Sequence, residues 1–98
     1  MTGKTPDTIS PREADDLLKQ GALLVDVREV SERAEVIRGA LHVPMSRIDE
    51  AALPVTGTPV IFHCRTGRRT ATNAGLLQGK AGQRPVYLLD GGIDGWAA

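Results

Sequence analysis

Aromatic residues are nearly missing. There is one Phe, one Tyr and one Trp in 98 positions, 3% of the chain. The core must therefore be aliphatic, and the stacked side chains on which nucleic-acid binders seat bases are not available. There is a single cysteine, which excludes an internal disulfide and a Cys-based zinc site. No apolar run approaches the roughly 20 residues needed to span a bilayer. Met1 to Asp7 holds no apolar stretch, which speaks against a secretory signal. A cytoplasmic address is the expectation, with no membrane contact by this chain itself. Acid is absent between Ala51 and Leu89, a stretch that carries Arg65, Arg68, Arg69, Lys80 and Arg84.

What is present fits one small soluble domain. The mass is 10.4 kDa, 41% of residues are apolar and 24% are charged. One domain over 1–98 is expected, with its core at about 8–96. Net charge is zero and the pI is about 6.7. With no aromatics beside the arginines, this balance excludes nucleic acid as a partner. Three of the five bases sit beside the only cysteine, which points instead to a small anion or a thiolate.

The punctuation alternates short apolar runs with helical patterns. Thr8 and Ile9 read as a very short first strand. Ser10-Pro11-Arg12-Glu13 is a capping box with proline at the first helical position. Ala14, Leu17 and Leu18 then mark one face of a helix that ends at Gly21. Leu23 to Val27 reads as a buried strand, Ser31 to Val36 as a short helix, and Leu41 to Val43 as an edge strand stopped by Pro44. Ser46 to Leu53 suggests another short helix. Val60 to His63 is a buried strand, and a helix follows from about Arg69 to Gln78. Val86 to Leu89 is a further strand, and a last short helix surrounds Trp96. Strands and helices alternating at this spacing, with strands apolar on both faces, predict an α/β fold on a mostly parallel sheet. Function in such sheets lies at the carboxyl ends of the strands, where Asp26-Val27-Arg28 and Cys64-Arg65 fall.

The richest segment is His63-Cys64-Arg65-Thr66-Gly67-Arg68-Arg69-Thr70. A lone cysteine at a strand end is ordinarily an inert core residue. This one is followed by a loop and a helix start. A loop curled around the sulfur aims backbone N–H groups at an anion, the helix N-terminus adds positive partial charge, and three arginines raise the potential. All three effects favour the thiolate, which is the nucleophile. Gly67 supplies a position free to take positive φ. Cys64 is the candidate catalytic residue, and Arg65, Thr66, Gly67, Arg68 and Arg69 are the candidate substrate-binding residues.

Four motifs lie in order along the chain: Leu24-Val25-Asp26-Val27-Arg28-Glu29, Gly39-Ala40-Leu41-His42-Val43-Pro44, Ile61-Phe62-His63-Cys64-Arg65-Thr66-Gly67-Arg68-Arg69-Thr70, and Leu89-Asp90-Gly91-Gly92-Ile93-Asp94-Gly95-Trp96. Together they cover about Thr8 to Trp96, and the chain resembles a single-domain rhodanese. The resemblance implies a rhodanese-like, five-stranded, mostly parallel sheet flanked by helices on both faces. It also implies thiosulfate sulfurtransferase chemistry. Cys64 accepts a sulfane sulfur as a persulfide and passes it to a thiophilic acceptor. The implied partners are a small anionic sulfur donor and a thiol or cyanide-like acceptor, with a protein as a further conceivable sulfur acceptor. No cofactor and no metal are implied. The last two motifs are similar to rhodanese domains that precede a membrane hairpin in some bacterial proteins, so the chain is expected to be either a free domain or an excised one. It departs from the family between Glu32 and Ala40, where members usually carry an aromatic and then a Gly-His pair.

The fold also serves phosphatases and arsenate reductases, and loop length separates them. Cysteine phosphatases place an arginine after five intervening residues. That position here is Thr70, and Arg69 falls one place early, as in the six-residue sulfurtransferase loop. A module that keeps the fold but transfers nothing is the third reading, and the intact cysteine speaks against it. Asp26 and Arg28 are read as an internal ion pair that shapes the loops, with a loop-orienting role toward Cys64 as the functional alternative. His63 should point to the sheet face opposite Cys64 and act structurally. His42 and His63 lack ligand spacing for a metal. Asp90 to Asp94 reads as a turn capping the last helix, and Trp96 as the residue packing that helix onto the sheet. Glu29, Glu32 and Glu35 are expected to form a solvated helical face.

Overall fold

The computed structural model describes residues 6–32, 35–50, 52–54 and 57–97. Strand β1 (Asp7–Ile9) gives way at once to helix α1 (Pro11–Lys19). Ser10 makes that switch abrupt. Its hydroxyl accepts the Glu13 amide at 3.1 Å, and the Glu13 carboxylate accepts the Ser10 amide at 3.0 Å. The capping box read from the sequence is thus present, and Pro11 sits where no amide donor is needed. Ala14 is fully buried, with Leu17 and Leu18 half-buried beside it.

Strands β2 (Leu23–Asp26), β3 (Leu41–His42), β4 (Val60–His63) and β5 (Val86–Leu89) join β1 in one five-stranded sheet of order β1-β5-β4-β2-β3. Every neighbouring pair is parallel. β3 forms one edge, where Pro44 removes a ladder donor. β4 lies in the middle and all four of its residues are buried, so its side chains alternate between two cores. Val60, Phe62 and Cys64 join Val25, Val27 and Leu88 on one face, beneath Ala74, Leu77 and Ala81 of helix α3 (Ala74–Ala81). Ile61 joins Leu24 and Leu89 on the other face, with Ala14 of α1 and with Ile93 and Trp96 of helix α4 (Gly92–Ala97). Trp96 therefore packs α4 onto the sheet, as the sequence suggested. Burying Val60, Ile61 and Phe62 completely contributes about 2 kcal/mol for each side chain.

Three expected helices come out differently. At Ser31 to Val36 there is a single 3-10 turn, Val30–Glu32, and Glu35 and Val36 are not helical. Arg33 and Ala34 lie outside the described residues. Val30 and Val36 are both exposed, so this segment has no apolar stripe to bury, and packing is what sustains so short a helix. The solvated face expected of Glu29, Glu32 and Glu35 does not form either. Glu29 is half-buried and its carboxylate accepts the Ser46 hydroxyl at 2.7 Å and the Ser46 amide at 3.1 Å. The side chain of Glu32 lies outside the described residues.

At Ser46 to Leu53 the chain makes another 3-10 turn, Met45–Arg47, and then further turns. Its buried anchors, Ile48 and Leu53, are five positions apart, a spacing that does not share one helix face. The helix expected from Arg69 to Gln78 is two helices, α2 (Arg68–Thr72) and α3. Asn73 divides them. Its side-chain amide and its backbone amide both donate to the Arg69 carbonyl, at 2.8 and 3.1 Å. No helix among the described residues is long and apolar enough to cross a membrane.

The capping box yields a first prediction. Ser10→Ala should cost about 1 kcal/mol in denaturant unfolding near neutral pH. The backbone and hydroxyl hydrogen bonds from Ser10 hold the Glu13 carboxyl below its ordinary value of 4.5. A lowered folded-state pKa stabilises above that value and loses its effect as pH falls below it. The cost of Ser10→Ala should therefore shrink in acid. A cost that stays constant down to pH about 3 would contradict the reciprocal cap.

Candidate active site

The carboxyl ends of β2 and β4 are stitched together. The Val27 amide donates to the His63 carbonyl at 3.0 Å, and Asp26 is in register with His63. Cys64 is the first residue beyond β4, and alternation sends its side chain to the α3 face while His63 points to the other. Cys64 is 1% exposed, and its Sγ accepts the Gly67 amide at 3.2 Å. Gly67 adopts φ +93°, the left-handed conformation that turns the loop back over the sulfur. The Arg68 amide faces the Thr66 hydroxyl at 3.4 Å.

Thr70 completes the wall around the sulfur. It is fully buried, its hydroxyl donates to the Gly67 carbonyl at 3.1 Å, and its Oγ1 lies 3.9 Å from Sγ. The sequence reading used Thr70 only to argue loop length. Its place on the first turn of α2, one residue past Arg69, was the signal that it faces back toward the cysteine.

A second contribution comes from the far end of the chain. The Ile93 amide donates to the Cys64 carbonyl at 2.9 Å, and the Asp94 amide donates to the Arg65 carbonyl at 3.0 Å. Gly92, at φ +56°, makes this approach possible, because a β-carbon there would overlap the Cys64 carbonyl oxygen and the Arg65 carbonyl. The Asp90-Gly91-Gly92 turn begins α4, as expected, and it also clamps the cysteine loop. The doublet Gly91-Gly92 after an apolar strand carried this information, since paired glycines mark a close backbone approach.

The three arginines are not equivalent. Arg65 is exposed and its guanidinium lies 3.6 Å from the Asp94 carboxylate. Arg68 is exposed and makes no ion pair among the described residues. Arg69 is half-buried, and its carbonyl takes the Asn73 side chain.

Asp26 and Arg28 form a buried pair. Arg28 Nη2 lies 2.9 Å from Asp26 Oδ2, and Arg28 Nε donates to Asp26 Oδ1 at 3.1 Å. The Arg28 guanidinium also donates to the Glu35 carbonyl at 2.7 Å, and His42 Nε2 donates to the Arg28 carbonyl at 2.7 Å. These bonds fasten the β2–β3 connection. On the other side of Asp26, His63 Nε2 lies 3.9 Å from Asp26 Oδ2, and His63 Nδ1 donates to the Cys64 carbonyl at 3.1 Å. A depression lined by Leu53, Gly57, Lys80 and Arg84 lies at the opposite end of the sheet from Cys64.

A parallel α/β sheet with a loop-wrapped cysteine at its carboxyl edge defines a class, and comparison with known proteins narrows it. Residues 10–98 match the rhodanese-like domain family. The chain belongs to that family. Thiosulfate sulfurtransferase GlpE of Haemophilus influenzae is 32% identical over 90 residues, covering 90% of this chain and 85% of that protein. The uncharacterized protein slr1261 of Synechocystis is 33% identical over 96 residues, covering 95% of this chain but 53% of that protein. A crystal structure of a thiosulfate sulfurtransferase from Pseudomonas aeruginosa superposes with a TM-score of 0.77 at 28% identity, over 99% of this chain and 19% of that one. The chain thus spans most of the Haemophilus relative, about half of the Synechocystis one and a fifth of the Pseudomonas one. These relatives place the chain in a sulfurtransferase family.

The clamp makes a sharp prediction. Gly92→Ala should lower stability by about 2 kcal/mol or more, because it adds an overlap to a strained φ. Gly39→Ala is the control. Gly39 has φ +84° but open space around its missing β-carbon, so only about 1 kcal/mol of backbone strain applies. Equal costs for the two variants in denaturant titrations would mean that α4 does not press against the cysteine loop.

Proposed function

We propose that this chain transfers sulfane sulfur through a persulfide on Cys64. The thiolate attacks the outer sulfur of a thiosulfate-like donor, the donor's S–S bond breaks, and sulfite leaves with the bonding electron pair. The new terminal sulfur is then taken by cyanide or a thiol, which restores the thiolate. The observation that carries this reading is the Cys64 sulfur, buried at a strand end beneath its own loop and bonded to the Gly67 amide. So closed a ring suits a single added sulfur atom better than a bulky group. The Gly67 amide bonds the sulfur, and Thr66 bonds the Arg68 amide and holds the loop. Arg65, Arg68 and Arg69 supply positive potential for the anionic donor. Asp26 and Arg28 orient the loop indirectly, through His63 and its bond to the Cys64 carbonyl.

The phosphatase reading is disfavoured by Thr70. It stands where a phosphatase carries its phosphate-gripping arginine, and it is buried with its hydroxyl on the Gly67 carbonyl. A non-transferring module has no use for a polar amide directed at a buried thiol.

Two outcomes are expected. Cys64→Ser should fold normally and show no thiosulfate:cyanide transfer, since an alcohol is not ionised near neutral pH and holds no persulfide. Activity within about tenfold of wild type would sink the assignment. Wild type should not hydrolyse an aryl phosphate.

For the arginines, Arg68→Ala should raise the KM for thiosulfate about three- to tenfold with little change in kcat, because a dianion is attracted before it reacts. Arg65→Ala should raise it less, since Asp94 already offsets that charge. Salt should lower kcat/KM in wild type. Kinetics independent of salt, with no KM change in either variant, would show that these side chains do not face the donor.

A further inference from the structure

The arginine nearest in sequence to Cys64 is held by a carboxylate that belongs to the clamp itself. Asp94 is tied to Arg65 twice, by its amide on the Arg65 carbonyl at 3.0 Å and by its carboxylate 3.6 Å from the guanidinium. Both side chains are largely exposed, Arg65 at 71% and Asp94 at 57%, so the pair adds little to stability. Its effect is on the local field. The neighbouring amides fix the Asp94 backbone to the cysteine loop, and its carboxylate stands beside Arg65, the residue that follows Cys64.

We propose that Asp94 is a specificity-determining residue that lowers the positive potential at the Cys64 loop and so biases the site against dianionic sulfur donors and toward singly charged ones. The inference rests on the sulfurtransfer reading. Coulomb energy scales with donor charge, so the penalty imposed by Asp94 on a dianion is twice that on a monoanion. Thiosulfate carries two charges and methanethiosulfonate one. Both present a terminal sulfane sulfur to the thiolate and form the same persulfide, with sulfite or methanesulfinate leaving with the electron pair of the broken S–S bond.

The test measures kcat and KM with both donors, with cyanide as acceptor, in wild type, Asp94→Asn and Arg65→Ala. Asn keeps the shape and the backbone amide and removes the charge. In D94N, kcat/KM should rise about fourfold for thiosulfate and about twofold for methanethiosulfonate, so their ratio rises about twofold. The change should lie in KM and should vanish at about 1 M salt, where screening acts over about 3 Å. R65A should move the ratio in the opposite direction. A purely structural effect of either substitution would scale both donors alike, and an unchanged ratio in D94N overturns the proposal while leaving the sulfurtransfer reading intact. Absence of transfer from both donors in wild type overturns that reading and this one together.

Discussion

Two backbone hydrogen bonds hold the site together: Ile93 N–H to the Cys64 carbonyl and Asp94 N–H to the Arg65 carbonyl. They join the loop that leaves β4 to the turn that leaves β5, and they need the missing β-carbon of Gly92. A cysteine loop of this kind has few apolar contacts of its own and would otherwise sample many conformations. Here its first two carbonyls are fixed by α4, and α4 is fixed by Ile93 and Trp96 in the core beneath it. The geometry of the Cys64 loop on one face of the sheet therefore depends on packing on the other.

The period-two alternation of β4 makes that division possible. Val60, Phe62 and Cys64 point one way, and Ile61 and His63 point the other. Cys64 is thus enclosed by its own loop and by Thr70, while the adjacent His63 binds the Cys64 carbonyl from behind and stands beside the buried Asp26–Arg28 pair. Removing either member of that pair would strand an uncompensated charge in the interior, at a cost of roughly 3–5 kcal/mol. The same pair fastens the connection between β2 and β3 through the Glu35 carbonyl. One polar cluster therefore supports both loops at the carboxyl edge of the sheet.

Much of this was legible because local and global signals agreed. Strands β4 and β5 fall where unbroken apolar runs placed them, and α1 starts where Ser10 and Glu13 said it would. The positive φ of Gly67 and the inward-facing His63 follow from a strand–loop–helix pattern. What was not legible depends on tertiary partners. Glu29 looked like a surface acid, but Ser46, seventeen positions away, claims its carboxylate. At Asn73 the side chain and the backbone amide share the Arg69 carbonyl, an arrangement that periodicity does not register. The contact of Gly92 with Cys64, and the pairing of Asp94 with Arg65, link residues some thirty positions apart. Spacing within a motif says nothing about such pairs.

If Cys64 carries a sulfur atom within its loop, the mass of the intact protein reads it directly. After incubation with thiosulfate and removal of excess donor, the wild-type chain should gain the mass of one sulfur atom. Brief treatment with cyanide should remove that mass and release one equivalent of thiocyanate. A chain whose mass is unchanged by thiosulfate, or an added sulfur that persists in the Cys64→Ser variant, would contradict the assignment of Cys64 as the carrier.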